Sequence, residues 1–373
     1  MCTRVQIPAL GDTHVTVRGD PAHPTTDDPV RPMTDENDPL QPTPRRPRRV
    51  TAQDVAQAAG VSRTAVSRAF NPDSYLDPAK RERVLKTALD IGYRPNALAA
   101  SLQGTRTGLV GVIAGDLGSP YDSEVLAALV ASLTRADRWP LVLGGPDAVT
   151  DQAILSVLRY PLDALIIRGG SLSPEITAIC EKLNIPMIFA GRIGSNPQAD
   201  SVVCDNRAGT TEAVDLLLDG GRRRFGYLGG PANWSSERER LAGVVSRLAG
   251  AGLALVAHRH ADYTFEGGRR AARALLDTRA LDALICGNDA MALGALCCAR
   301  HDLGLAVPDD LALVGFDDIA MARWPEYRLT TIRNPIESTV AAIVRLLEMR
   351  MAHPQRPAER VMITPTLIAR ATH

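Results

Sequence analysis

The sequence predicts an α/β fold: a small N-terminal headpiece of three helices containing a helix-turn-helix, then a two-lobed body of doubly wound parallel sheets. Three observations carry this. From residue 109 onward, short apolar runs alternate with longer amphipathic segments, the pattern of parallel strands covered by helices on both faces. The alternation lasts for about 260 residues, more than one doubly wound sheet usually needs, so the body reads as two lobes. Between residues 51 and 92 the apolar spacing is instead that of three short helices, punctuated by Gly and Pro. The chain has 373 residues, 45% of them hydrophobic, and balances 42 basic against 42 acidic side chains. Such a chain buries a sizeable core and is neither wholly disordered nor collagen-like.

The first 44 residues hold eight of the 26 prolines, three basic and seven acidic side chains, and few apolar ones. That composition does not bury enough surface to fold, so residues 1–49 are predicted to be a disordered Pro/Arg-rich tail. Met33 within it is a second candidate start. The apolar run at residues 5–10 is too short for a secretory leader, and no run approaches the roughly 20 residues of a membrane span. The six cysteines (Cys2, Cys180, Cys204, Cys286, Cys297 and Cys298) show no C-x-x-C spacing and sit mostly in apolar stretches. That disfavours a disulfide framework or a zinc site. Together these features predict a cytoplasmic chain with no membrane contact, no metal and no other cofactor.

The charge changes sign abruptly at Arg45. Residues 45–106 carry twelve basic and five acidic side chains, so the neutral total hides a basic block. Such a block beside a neutral-to-acidic body is the electrostatic footprint of a nucleic-acid module. Charge alone fits a solvated tail before an ordinary helical domain equally well. Thr51-Ala52-Gln53-Asp54 is a capping box, and Val55, Ala58 and Ala59 after it form a small apolar face. Gly60 breaks this helix. Ser62 is a natural N-cap for the next, which shows Arg63, Thr64, Ser67 and Arg68 to solvent and buries Ala65, Val66 and Ala69. Two short helices around a Gly-containing turn make a helix-turn-helix, and the second is small and polar enough to enter a major groove. Asp77-Pro78 opens a third helix that runs to Ile91 and stops at Gly92, with Val84, Leu85, Ala88 and Ile91 as its stripe.

In the body, residues 109–113, 141–143, 164–167, 187–190, 225–228, 283–286 and 312–314 read as strands. Residues 123–136, 173–183, 208–218, 267–276 and 291–299 read as helices. In open α/β sheets ligands sit beyond the carboxyl ends of the strands, so polar residues there are candidates for a site. Asp317 and Asn288 follow strands, and Tyr121 starts the first body helix. Read alone, Asp317-Asp318 is a turn, Asp289 is a helix cap and Arg240 is one more surface charge. No G-x-G-x-x-G after a strand, P-loop or G-x-S-x-G is present. Of the seven histidines only His258 and His260 cluster, at a strand end, and they read as surface. No catalytic residue is predicted.

The run VTAQDVAQAAGVSRTAVSRAFN, from residue 50, and the run DPAKRERVLKTALDIGYRPNALAASLQGTRTGLVGVIAGDL, from residue 77, resemble the lactose-repressor (LacI/GalR) family of bacterial transcription regulators. The blocks GRRRFGYLGGP, ERLAGV, CGNDAMALGAL, VPDDLALVGFDDIA and RLTTIRNP fit the same family in order, so the resemblance runs from residue 50 to about residue 370. It implies a headpiece over residues 50–95, a hinge helix and linker over 96–106, and a type I periplasmic-binding-protein-like body over 107–373. Arg63, Thr64 and Ser67 would read bases and phosphates, with Arg68 beside them. Thr51, Ser62, Asn71, Arg94 and Asn96 would position the DNA backbone. Leu102 would wedge into a central minor-groove step. Without the resemblance, Leu98 and Leu102 are one apolar helix face and Asn71-Pro72 is a plain turn. Ala100 stands where many relatives carry a longer polar or basic residue, which weakens one phosphate contact. The arginines at 45–49 are placed to add salt-sensitive affinity.

In the body the resemblance implies effector contacts from Tyr121, Asp122, Arg192, Arg240, Tyr263, Asn288 and Asp317. A guanidinium that donates and a carboxylate that accepts suit a polyhydroxyl ligand, with Tyr263 stacking on it. Two positions depart from the family pattern. Asp122 stands where many relatives carry a second aromatic, and Gly191 where many carry an aspartate before Arg192, as though a carboxylate had moved across the cleft. The implied function is a sequence-specific DNA-binding regulator, a repressor, that is not an enzyme. It would act as a homodimer on a near-palindromic double-stranded operator, controlled by a small effector held between the lobes, a sugar first and a nucleoside-like compound second. The rivals are a solute-binding protein of a transport system, which predicts a leader and no basic headpiece, and a regulator that works without an effector. No leucine-rich heptads follow Arg370, so a tail-mediated tetramer is not expected.

Overall fold

The computed structural model describes residues 50–71, 74–94, 107–115, 117–145, 148, 150–168, 172–191, 199–277 and 281–373. The chain forms two compact units that divide between Arg94 and Pro95. The predicted tail at 1–49 and the predicted hinge at 96–106 lie outside the described residues, apart from the body's own start at residue 107.

The first unit is three helices: α1 (Ala52–Ala59), α2 (Arg63–Ala69) and α3 (Pro78–Asp90). The Thr51 hydroxyl accepts from the Asp54 amide, while the Asp54 carboxylate accepts from the Thr51 amide at 2.8 Å, completing the capping box. Gly60 ends α1 at φ +63°, the left-handed conformation that an L side chain resists. The Ser62 hydroxyl caps α2 through Ala65 N, and the Asp77 carboxylate caps α3 through Lys80 N, with Pro78 in its first turn. Val55, Ala56, Ala59, Val66, Ala69, Val84 and Ala88 share one core. Two expectations change here. Ala56 rather than Ala58 is buried in α1, because 55, 56 and 59 fall on one side of a 3.6-residue turn. Leu85, expected in the α3 stripe, is 40% exposed, since Val84 and Ala88 already span the contact. Arg81 ties α3 to the preceding connection by donating to the carbonyls of Ala69, Asn71 and Ser74.

The second unit holds two six-stranded sheets. The first runs β11-β5-β4-β3-β1-β2 and is parallel throughout. Its strands are β1 (Leu109–Gly115), β2 (Trp139–Gly144), β3 (Ala164–Ile167), β4 (Met187–Ala190), β5 (Asp200–Cys204) and β11 (Arg360–Ile363). Helices α4 (Pro120–Arg135), α5 (Asp151–Val157), α6 (Pro174–Lys182) and α11 (Ile336–Ala352) belong to this lobe, with one apolar cluster on each face of the sheet. The second sheet runs β12-β10-β9-β8-β6-β7, with only β12 antiparallel. Its strands are β6 (Phe225–Gly229), β7 (Ala257–His260), β8 (Ala283–Cys286), β9 (Ala312–Asp317), β10 (Thr330–Arg333) and β12 (Thr366–Ile368). Helices α7 (Asn206–Asp219), α8 (Ser235–Gly250), α9 (Phe265–Leu276) and α10 (Asp289–Cys297) cover it, again with a cluster on each face.

The chain passes between lobes three times: from β5 to α7, from β10 to α11, and from β11 to β12. The chain leading into β11 is anchored by a buried carboxylate. Asp200, fully buried at the start of β5, accepts from Arg350 on α11 at 2.9 and 3.0 Å, meets Arg356 at 2.8 Å and accepts from the Glu359 amide at 2.8 Å. Among the described residues no helix is long and apolar enough to cross a membrane, and no three metal-ligating side chains converge.

Candidate functional site

Two sites emerge, one in each unit. In the first unit Arg63, Thr64, Ser67 and Arg68 are all exposed on α2. Their backs are held by the buried Ala65, Val66 and Ala69, so the helix presents a polar face that requires nothing further from the core. Thr51 and Ser62 spend their hydroxyls as helix caps. That fixes the N-termini of α1 and α2, whose partial positive charge suits phosphate. Asn71 and Arg94 are exposed, and Asn71 gives its carbonyl to Arg81. Asn96 and Leu102 lie outside the described residues, as does Arg192 of the body.

In the second unit a cavity of about 440 Å³ lies between the lobes, beyond the carboxyl ends of the strands. It brings together Tyr121, Asp122, Arg240, Tyr263, Asn288 and Asp317, six of the seven residues expected there. One wall is built on α8 and β9. Arg240 is buried, with its guanidinium carbon 3.7 Å above the Phe316 ring. Its Nε donates to Asn206 Oδ1 at 2.8 Å, one Nη donates to the Gly287 carbonyl, and the other lies 3.6 Å from Asp317 Oδ1. Asn206 is held in turn, donating to the Cys204 carbonyl and to Glu239. Asp317 ends β9 itself rather than following it, at φ +115°, and Asp318 sits at φ +59°. Such conformations cost of order 1–3 kcal/mol for a residue with a Cβ and cluster at ligand sites.

The aromatic part of this wall has its own support. Tyr263, at φ +63°, packs on Trp234 with ring centroids 5.2 Å apart. Its hydroxyl donates at 2.8 Å to Glu237, a carboxylate with no exposed surface that also accepts from the Gly230 amide at 2.9 Å. Gly230 must be glycine, because a Cβ there would lie 2.1 Å from the Tyr263 ring. Asn288 lines the cavity, but its amide is spent on structure: Oδ1 caps α10 through Met291 N and Nδ2 donates to the Tyr263 carbonyl. Asn288, not Asp289, is therefore the cap. Asp289 turns inward, accepting from the Ile319 amide and the Thr331 hydroxyl.

The opposite wall carries Tyr121 and Asp122, in the first turn of α4, and Arg168, one residue past β3. Arg168 donates to Asp122 Oδ1 at 2.6 Å. The Arg168 side chain is 3% exposed, and its Nε has no hydrogen-bond partner among the described residues. Gly191 lines the cavity at φ +83° with open space around it. The absent side chain there leaves room in the wall.

Burial sets the titration of these groups. It pushes the Asp317 carboxyl from 3.8 to about 7, against the pull of Arg240 and with the help of Asp122. The Tyr263 and Tyr121 phenols are also raised chiefly by burial. For Arg240, burial opposes the charge, but the neighbouring Asp317 favours it and the guanidinium stays protonated.

Sequence reading missed Arg168, Asn206, Glu237 and Trp234. Arg168 and Asn206 had a usable signal, since each lies within two residues of the carboxyl end of an apolar strand. Glu237 had none. It sits in the charged run Glu237-Arg238-Glu239-Arg240, which reads as a solvated helix face until the fold buries its first and last members.

Residues 51–96 match the family described as bacterial regulatory proteins, lacI family, and residues 214–373 match the periplasmic binding protein-like domain. The HTH-type transcriptional repressor CytR of Escherichia coli strain K12 is 32% identical over 332 residues, spanning 86% of this chain and 96% of that protein. Catabolite control protein A of Priestia megaterium is 31% identical over 312 residues, spanning 81% of this chain and 92% of that protein. Among solved structures, the lac repressor dimer bound to operator and the anti-inducer ONPF matches with a TM-score of 0.77 at 27% identity, covering 87% of this chain and 99% of that one. A transcriptional regulator CelR in complex with cellobiose matches with a TM-score of 0.66 at 26% identity, covering 87% and 100%.

Proposed function

The chain belongs to the LacI/GalR family of bacterial regulatory proteins, and from that premise we propose how its two units divide the work. It is a DNA-binding transcriptional repressor that acts as a dimer on operator DNA under the control of a small effector. Its relatives are transcriptional regulators rather than enzymes. In our reading α2 enters the major groove, where Arg63 takes a guanine edge and Thr64 and Ser67 take bases or phosphates. Thr51, Ser62, Arg68, Asn71, Arg94 and Asn96 hold the backbone, and Leu102 wedges the central step. The protein works in the cytoplasm, where its operator lies.

The effector binds in the interlobe cavity against Arg240, Asp317 and Tyr263. Arg192 would join them from the facing lobe. A ligand that grips both walls favours one lobe angle, and whatever operator affinity that angle has then prevails. The coupling is reciprocal and of order 1–3 kcal/mol. The observation that carries this reading is the buried Arg240–Asp317 pair at the strand ends of a lobe joined to its neighbour by three passages of chain.

The experiment has two steps. Full-length protein first selects duplexes from a random library, and recovery of a near-palindromic consensus supports the headpiece assignment. Thermal melting of the full chain against monosaccharides, disaccharides, polyols and nucleosides then identifies the effector. A compound at 100 times its dissociation constant adds roughly 2.7 kcal/mol. It should also change affinity for the selected duplex, and a bound compound that leaves that affinity untouched refutes the allosteric part.

A further inference from the structure

The Asp122–Arg168 pair lies on the wall opposite Arg240. Arg168 is a buried cation just past the end of β3, lining the cavity, with an Nε that finds no hydrogen-bond partner among the described residues. A guanidinium so placed is an anion site by construction, because its planar donors match phosphate and carboxylate. Asp122 occupies it. The carboxylate reaches Arg168 from the first turn of α4 at 2.6 Å, while the Ser119 hydroxyl caps the same turn through the Asp122 amide. Asp122 is itself 35% exposed, so the pair presents an acceptor and a donor side by side to the cavity.

The other charges that line the cavity are matched in the same way. Arg240 is taken by Asn206, Gly287 and Asp317. Asp262 accepts from the amide and hydroxyl of Thr264 and lies 3.7 Å from Arg270. Among the described residues, each charged side chain lining the cavity therefore has an opposite charge beside it above about pH 7, where Asp317 is ionised. A ligand bearing a full negative charge would have to displace Asp122 from Arg168 or sit beside its carboxylate, and like charges at such distances are unfavourable in a site screened from water. Hydroxyl pairs, by contrast, both donate and accept, and fit an acceptor beside a donor without displacing either.

We propose that Asp122 masks an anion site at Arg168, so that the cavity selects an uncharged polyhydroxyl effector and excludes its phosphorylated or carboxylated counterpart. The proposal rests on the reading of this cavity as the effector site, and its test is arranged so that the two fail separately. Full-length wild type, Asp122→Asn, Arg168→Gln and the double variant are melted in chloride and in inorganic phosphate at matched ionic strength. Asp122→Asn removes the charge and keeps an oxygen near Arg168. It should bind phosphate about tenfold more tightly than wild type, and the double variant should lose that gain. If Asp122→Asn gains nothing from phosphate, the masking is refuted. If wild type takes phosphate and Arg168→Gln abolishes that binding, it is refuted as well, because Arg168 is then open to anions despite Asp122.

Matched pairs carry the second arm: glucose with glucose 6-phosphate, galactose with galacturonate, adenosine with its 5′-monophosphate. Wild type should prefer the uncharged member of any pair it binds, and preference for the charged member overturns the proposal. Arg168→Gln tests the pair from the other side, should Asp122→Asn not fold. It unmasks a carboxylate and should favour glucosamine over N-acetylglucosamine, and indifference between them refutes the masking. Binding of no compound by any variant counts against the effector reading, while the phosphate arm still decides the masking.

Discussion

Asp317 is the group whose titration should report on the cavity most directly. Folding raises its pKa from 3.8 to about 7, mainly by burial, with Arg240 pulling it down and Asp122 adding to the rise. A carboxyl with a raised folded pKa holds its proton more tightly in the folded chain. Its contribution to stability is therefore full below the unfolded pKa and is lost as pH rises through the folded one. The slope is about 1.4 kcal/mol per pH unit. Between about pH 5 and pH 7 the chain that keeps Asp317 should lose about 2–3 kcal/mol relative to Asp317→Asn, which does not titrate, and the difference should level off above that range. Asp289 is raised by burial and, next, by Asp317 itself, so the two carboxyls titrate as a coupled pair and the comparison is made in an Asp289→Asn background, where Asp317 is the one of the two that titrates. Urea unfolding of the full chain at a series of pH values measures this. Trp139, Trp234 and Trp324 are the chain's three tryptophans and all lie in the second unit, so fluorescence follows that unit. A difference that stays flat or rises between pH 5 and 7 would refute the reasoning. Arg240, 3.6 Å away, would then hold the carboxylate ionised throughout, and the Coulombic attraction would outweigh burial.

Three other outcomes follow from the same structure. Arg63→Ala should cost about 1–3 kcal/mol of discrimination at one operator position, read as relaxed sequence preference in anisotropy titrations of single-base operator variants; a uniform loss across all variants would make Arg63 a phosphate contact instead. Tyr263→Phe leaves a fully buried carboxylate, Glu237, short of one donor at 2.8 Å, and should destabilise the body by about 1–3 kcal/mol in urea. Arg350→Met strips the bidentate partner from the fully buried Asp200; with Arg356 still beside it, the expected cost is about 3 kcal/mol, and a loss under about 1 kcal/mol would show that Arg356 alone compensates Asp200.

Strands at 164–167, 187–190 and 283–286 were legible to the residue because each is an apolar run buried on both faces. The edge strands were not. β7 reads Ala-His-Arg-His and β11 reads Arg-Val-Met-Ile, since an edge needs only part of its length buried and carries no continuous apolar signal. The interleaving of the lobes was hidden for another reason. Strand-helix alternation is the same whether successive strands share a sheet or change sheets, and the choice is made by packing such as α11 on α4. In the site, Arg240 and Asp317 were found through resemblance, because each alone looks like a surface charge or a turn. Arg168 was found only through the fold, although its place after an apolar strand was visible. The expected shift of a carboxylate across the cleft does not hold: Gly191, after β4, and Asp122, after β1, belong to the same lobe, where Asp122 pairs with Arg168.

The position of Asp317 also bears on how a ligand's grip could leave the cavity. Its carboxylate faces Arg240, and its carbonyl accepts from the Asn334 amide at 3.3 Å, where β10 passes into α11 of the other lobe. The next residue, Asp318, accepts from Arg333 at 2.8 Å and from Arg370 at 2.6 Å. Arg333 is the last residue of β10, and Arg370 follows β12, the strand reached by the third passage. Two adjacent carboxylates in unusual backbone conformations thus connect the proposed effector site to the ends of two of the three passages. A ligand that tightened on Asp317 would act on the backbone that joins the two lobes. The coupling then needs no long chain of side chains, because the binding residue and the hinge share a peptide segment. Asp318→Asn separates the two roles: it leaves the cavity wall intact and weakens the hold on Arg333 and Arg370. Effector affinity should stay within about threefold while the effector's influence on operator affinity falls by about 0.5–2 kcal/mol. Equal loss of both would place Asp318 in the binding site and refute its role in coupling.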